Sequence, residues 1–432
     1  MSLLLTSRTL HSVTLATLYS KVTIPHSRIF RKFLAHVKEY PALGTIVRRL
    51  DFSHFNPTGA GQSARERAET LNLIPSTLLE CLDLVPNLQE FLVQEHIDDD
   101  IDFRVLQKLL CGLPRLRALD LCACSSGSFQ DAFTAAISDL STLPDSISIT
   151  RLSLHECTIL LSSVFEVLLP RLTSLTHLDV AHTRITSSAL RTISQTTKLS
   201  HLNLSKCAGL TSDGVLDFLT IHPAAQSLIY LNLAMDAKSN ELFDAEDLRA
   251  LIPILPSTLK SLNLKGSKMD SSHITLLCPL TQHLEELGLG RHLELFDLCR
   301  LIFPNNDLVE STHALHYLDI SDLTPAELDL GSLFGASCRL LQLASSPLEV
   351  LELSPAVMKK LEKSASVKRA GWCLREAGRR GWLVREKGVV NEGKKDDGLR
   401  EWKWGATYWG MRKIPVARAE VGGMYGHYMF KR

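Results

Sequence analysis

KLSHLNLSKCAGLTSDGVLDFL, residues 198–219, carries two periodicities in one short stretch. Leu199, Leu202 and Leu204 come first: an apolar residue, two free positions, a second apolar residue, one free position, a third. Leu202 and Leu204 stand two apart, which places both on one face of a strand. Leu210, Val215 and Leu219 follow at the wider spacing of a helix. The stretch is therefore a strand, a turn and a helix.

The same row recurs eleven times, starting at Val47, Leu88, Leu116, Ile149, Leu175, Leu199, Leu228, Leu259, Leu284, Leu315 and Leu348. The period wanders between 24 and 41 residues because several connections, such as 54–64, 140–148 and 304–312, are rich in Gly, Pro, Ser and Asn and tolerate insertion. The spacing is that of leucine-rich repeats. It implies an α/β solenoid, a curved parallel sheet with outer helices, because one unit cannot bury its apolar face alone. Eleven strands at roughly 4.8 Å give an inner face on the order of 50 Å long, enough for a protein partner.

The expected organisation is a helical cap over 1–45, a repeat solenoid over 46–355 and a basic, aromatic extension over 356–432. One helix is expected over 3–20 and a second over 27–39, the latter with Ile29, Phe33, Leu34 and Val37 on one face. The first 38 residues hold no Asp or Glu, yet Pro25, Tyr19, Phe30 and Phe33 fit packed structure better than a targeting peptide. At 432 residues the chain exceeds the usual size of a single core, a limit that a one-dimensional solenoid escapes. Hydrophobic content of 45% and charged content of 22% are those of a folded soluble protein, and no run of about 18 apolar residues exists to span a membrane.

Formal net charge is zero, but residues 1–358 hold 28 Lys+Arg against 39 Asp+Glu, and 359–432 hold 19 against 8. The basic end either docks on the acidic repeats or reaches an acidic partner. All five Trp lie beyond residue 370, and Trp402, Trp404 and Trp409 are expected to cover the last repeat; contact with a protein and stacking on single-stranded nucleic acid are the other readings of this basic-aromatic interleaving. The ten cysteines form neither a zinc nor a disulfide pattern and fit a reducing compartment, cytoplasm or nucleus.

Nothing resembles a nucleophile with its base or a phosphate loop, so no enzyme activity, cofactor or metal is expected. The acidic run 95–102 reads as a solvated helix entry. His177 and His201 share a column with Asp179 and Asn203 beside them, and without a third firm ligand they read as surface residues. Residues flanking the Leu columns are expected to face outward on the concave strand surface, which nominates Arg151, His155, His177, Asp179, His201, Asn203, Tyr230, Asn232, Asn263, Tyr317 and Asp319 as a protein-binding face. Tyr230 and Tyr317 would be its aromatic anchors.

HLNLSKCAGLTSDGVLDFL, 201–219, resembles the cysteine-containing leucine-rich repeat typical of F-box proteins, with Leu202, Leu204, Cys207, Leu210, Val215 and Leu219 buried. LLLTSRTLHSVTLATLYSKVTI, 3–24, is similar to the closing helix of an F-box. The resemblance implies a substrate receptor of a Skp-cullin-F-box ubiquitin ligase, with protein substrate on the concave face. Leu4, Leu5, Arg8, Leu10 and His11 would then face the Skp adaptor. The opening Leu-Pro and first helices of the box are not in this sequence, so either the chain begins further upstream or adaptor binding has been lost and only an interaction scaffold is kept. The C-terminal part is similar to fungal repeat proteins.

Overall fold

The computed structural model describes residues 6–53, 55, 73–138, 143–236, 241–304, 312–377 and 380–386. Their contacts form two units, Met1–Leu199 with Cys207–Gly209 and Ser200–Lys206 with Leu210–Arg432. The boundary falls inside the repeats. Both units are leucine-rich-repeat arrays.

The first unit runs α1 (Arg8–Ser20), β1 (Lys21–Thr23), α2 (Ser27–Glu39), α3 (Pro41–Gly44), β2 (Arg49–Asp51), α4 (Pro75–Leu84), β3 (Glu90–Leu92), α5 (Phe103–Cys111), β4 (Ala118–Asp120), α6 (Gly127–Ser138), β5 (Arg151–Ser153), α7 (Ser162–Leu168), β6 (His177–Asp179) and α8 (Ser187–Arg191). β1 to β6 are neighbours in chain order and parallel, with Val22, Leu50, Phe91, Leu119, Leu152 and Leu178 in one register row. From Leu50 to Leu178 that row is fully buried. β1 adds a row absent from the sequence expectation. Tyr19, Val22 and Ile24 repeat the apolar spacing with Tyr in the first Leu position, and Ile24 N–H donates to Asp51 O at 2.8 Å.

The second unit runs β7 (His201–Asn203), α9 (Ser212–Ile221), β8 (Tyr230–Asn232), α10 (Ala245–Ile254), β9 (Ser261–Asn263), α11 (Ser271–Thr281), β10 (Glu286–Gly288), α12 (Leu295–Ile302), β11 (Tyr317–Asp319), α13 (Leu330–Leu333), β12 (Val350–Leu353), α14 (Pro355–Leu361), α15 (Ala365–Arg369), β13 (Trp372–Ala377) and β14 (Arg380–Arg385). β7 to β12 are parallel, and Leu202, Leu231, Leu262, Leu287, Leu318 and Leu351 form their fully buried row. Helix starts are set by side-chain caps: Thr211 accepts from Gly214 N–H, Asp244 from Asp247 N–H and Asp270 from Ser272 N–H.

The array ends on a hairpin. β14 pairs antiparallel with β12, and β13 with β14, so the last parallel strand has no bare edge. Trp372 and Trp382 are both 0% exposed, and Trp372 Nε1–H donates to Leu341 O at 2.8 Å. A Trp-bearing cap thus exists, built from Trp372 and Trp382. Trp402, Trp404 and Trp409 lie outside the described residues.

A recurring turn explains the polar column between the second and third Leu. Side-chain oxygens of Asp51, Asp120, Asp179, Asn203, Asn232, Asn263 and Asp319 each accept the backbone N–H two residues on, at 2.8–3.2 Å. These are Asx turns, each worth about 1 kcal/mol over an unsatisfied N–H. One residue later the chain turns left-handed, at Ala123, His182, Lys206 and Gly266. At Gly266 a Cβ would lie 2.2 Å from Met235 O, so only glycine fits there. The next side chain is small and buried, and it donates backwards: Cys157 Sγ to Leu121 O at 3.1 Å and Cys207 Sγ to Val180 O at 3.0 Å. Burial pushes the Cys207 thiol up to about 12.

The acidic run 95–102 is also structural. It forms a 3₁₀ turn over Glu95–Asp100, and Asp98 accepts from Ser125 and Ser126 N–H at 3.1 and 2.9 Å. Asp102 caps α5 by accepting from Val105 N–H at 2.9 Å.

Candidate functional site

Two surfaces carry the nominated residues: the strand face and the N-terminal helix. On the strand face the structure corrects the expected exposure. Tyr230 is 1% and Tyr317 0% exposed, and His155, Asp179, His201, Asn203, Asn232, Asn263 and Asp319 are buried as well. Strands under 5 Å apart press these side chains on one another, and several of their polar atoms are paired within the fold. His201 stacks on Tyr230 at 5.9 Å between ring centroids. His155 Nδ1–H donates to the Asp179 carboxylate at 3.0 Å. Tyr317 O–H donates to Glu352 and accepts from Trp382 Nε1–H, the latter at 3.1 Å.

Arg151 and His177 keep partial exposure. They belong to the first unit, where Arg151 reaches Glu90 at 2.7 Å across Ala118, the small residue of the strand between them. Glu90 also takes Arg49 at 3.2 Å, and Arg49 reaches Asp51 at 2.7 Å. Arg49 and Glu90 were not nominated. Their signal was available: they occupy the same column as Arg151 and His177, with opposite charges at strand-neighbour spacing.

Burial, helped by the Arg151 charge, pushes His177 down to about 4; burial does the same to His313 in the second unit, also to about 4. Their neutral forms are held in the fold while the unfolded chain titrates near 6.5, so their stabilising contribution is complete above pH 6.5 and is lost as pH falls towards 4. Unfolding between pH 7 and 4.5 should show wild type losing more stability than H177Q or H313Q, by on the order of 2 kcal/mol per histidine. Equal slopes for wild type and variants would refute it.

At the N-terminus, α1 is capped by Ser7, whose Oγ accepts from Leu10 N–H at 3.2 Å. It buries no residue. Leu15 and Tyr19 are half-buried, whereas Leu10, Val13 and Leu18 are 44%, 60% and 54% exposed; Leu10 and Val13 share a face at i, i+3 spacing, and Leu18 borders the cleft with Tyr19. Arg8 and His11 are exposed beside them; Leu4 and Leu5 lie outside the described residues. α2 spans the expected 27–39, but Phe30 takes the core position and Ile29 stays half-buried. Between α1, β1 and α2 lies a cleft of about 510 Å³, lined by Leu18, Tyr19, Val22, Ile29, Phe33 and His36 among others. Among the described residues no cluster of three metal-ligating side chains occurs, and no helix is long and apolar enough to cross a membrane.

No family model matches the chain. It is 28% identical over 283 residues to F-box protein YLR352W of Saccharomyces cerevisiae. The chain is similar to an F-box protein. The match covers 60% of this chain and 35% of that protein, so the chain spans about a third of the curated relative it matches. Among solved structures it is similar to the Rad7 and Elc1 complex of yeast, with 15% identity, a TM-score of 0.41, and 72% and 78% of the two chains covered. It is also similar to the leucine-rich-repeat protein LegL7 of Legionella pneumophila, with 15% identity, a TM-score of 0.38, and coverage of 68% and 92%.

Proposed function

We propose that this chain is a non-catalytic substrate receptor of a Skp-cullin-F-box ubiquitin ligase, acting in the cytoplasm or nucleus. The observation that carries the reading is α1, a helix with no buried residue and with Leu10, Val13 and Leu18 exposed, in a chain similar to an F-box protein. Apolar side chains left exposed on a helix are what a partner's hydrophobic groove covers. In this reading the Skp adaptor covers Leu10 and Leu18 with Arg8 and His11 at the rim, and substrate meets the half-exposed row of Arg49, Glu90, Arg151 and His177. The role is positional: a tethered substrate is held at high local concentration beside the conjugating machinery. Affinity purification of full-length protein tests it. Skp adaptor and cullin should co-purify; a preparation with neither refutes the assignment.

A second reading, nucleic-acid association through the basic end, is favoured by one observation. Lys359, Lys360, Lys363, Lys368, Arg369 and Arg375 are all exposed around α14, α15 and β13, and among the described residues none makes an ion pair. Retention on single-stranded RNA that falls with salt and disappears in a K359E/K360E/K363E variant would support it. Retention indifferent to the variant would end it.

A further inference from the structure

Two of the ten cysteines meet across adjacent repeats. Cys299 sits on α12 and Cys338 in the segment between α13 and β12, and their sulfurs are 3.8 Å apart. The approach is braced beside them, where the Arg339 guanidinium lies over the Phe303 ring at 4.1 Å and Gln342 Nε2–H donates to Cys338 O at 3.1 Å. Cys299 is partly exposed and Cys338 is 7% exposed, so a small oxidant has access.

We propose that Cys299 and Cys338 are an oxidisable dithiol, closed by a peroxide into a disulfide that staples the α12 repeat to the next one. Closure shortens the sulfur separation from 3.8 Å to about 2 Å. The pair is asymmetric. The hydrogen bond between the two thiols holds Cys338 down and pushes Cys299 up, so Cys338 is the one that gives up its proton more readily. Cys338 sulfur attacks peroxide, the O–O bond breaks, and one oxygen leaves as water, giving the sulfenic acid. Cys299 sulfur then attacks that sulfur, the S–S bond forms, the S–O bond breaks, and the hydroxyl leaves as water with the Cys299 proton. Two thiols and one peroxide become one disulfide and two waters.

Such a bond closes a long loop and constrains the unfolded chain, so it should stabilise the second unit. Full-length protein treated with hydrogen peroxide near one equivalent, then alkylated and digested without reductant, should yield one linked pair of peptides containing Cys299 and Cys338. Its mass should be about 2 Da below the sum of the two reduced peptides. Tm should rise by roughly 5–10 °C and return with dithiothreitol. C299S and C338S should each lose the shift, while C278S, whose thiol donates to Arg300 O nearby, should keep it. Linkage of either cysteine to another partner, or oxidation of both to sulfinic acid without linkage, overturns the proposal. Because the primary readout is peptide linkage in the unmodified sequence, a variant that fails to fold does not obscure the result.

Discussion

A triple substitution, L10D/V13D/L18D, should remove the proposed Skp-adaptor capture while leaving thermal stability within about 2 °C. The second half follows from burial: α1 contributes no buried residue, and these three side chains already stand 44%, 60% and 54% exposed. Substituting them opens no cavity, and surface changes of this kind cost little stability. The first half follows from what association would cover. Three half-exposed apolar side chains, each gaining about half of the 1.5–3 kcal/mol of full burial, supply roughly 3 kcal/mol, and a carboxylate in the same contact would be desolvated unpaired. The expected loss is at least about 100-fold in Kd, since each 1.4 kcal/mol is tenfold. R8E serves as the milder companion, acting at the rim and through salt-dependent attraction. Capture that survives the triple substitution would remove α1 from the interface. A fall in Tm of the size seen for core mutants would show instead that these side chains pack within the protein.

Legibility from sequence varied with the kind of signal each element carries. The Leu rows were plain because a two-apart apolar pair after a fixed gap fixes both the strand and its inward face; Leu119, Leu202 and Leu262 are 0% exposed. β1 escaped because Tyr19 stands in a Leu position, although Tyr19, Val22 and Ile24 keep the spacing. The strand face was misjudged for a different reason. Alternation says only that Asp120, Asn203 and Tyr317 point away from the Leu core; it cannot say whether neighbours close over them. In a parallel array each such side chain is flanked on both sides at strand distance, and the turn that follows consumes the Asx oxygens. Arg49, Glu90, Arg151 and His177 remain half-exposed in the first unit, whereas His201 and Glu286 at the same strand position are buried in the second, so residue type alone does not set exposure in that column. The meeting of Cys299 and Cys338 has no sequence signal at all, because they are 39 positions apart and the intervening connection sets their approach.

Tyr317→Ala gives the sharpest test of whether that face is interior. Tyr317 joins Val350, Trp382 and Val384 in one buried cluster, with Cys373 packed against it. Its hydroxyl stands between the Glu352 carboxylate and the Trp382 indole, so one phenol satisfies an acceptor on β12 and a donor on β14. Removing the ring leaves a cavity and two polar groups without that partner. Aromatic-to-Ala changes in a core cost about 3–5 kcal/mol, and the stranded polar atoms add to it. A loss of roughly 10 °C in the Tm of the second unit is expected. Tyr317→Phe keeps the volume and deletes the hydroxyl alone, so it should fall by about 1–3 kcal/mol; the gap between the two variants separates packing from hydrogen bonding. Trp382→Phe should approach the Tyr317→Phe value, because it withdraws the donor from the other end of the same link. If Tyr317→Ala instead kept the wild-type Tm and weakened partner capture, the ring would belong to a binding surface, and the hairpin of β13 and β14 would lose its role as the closing layer over β12.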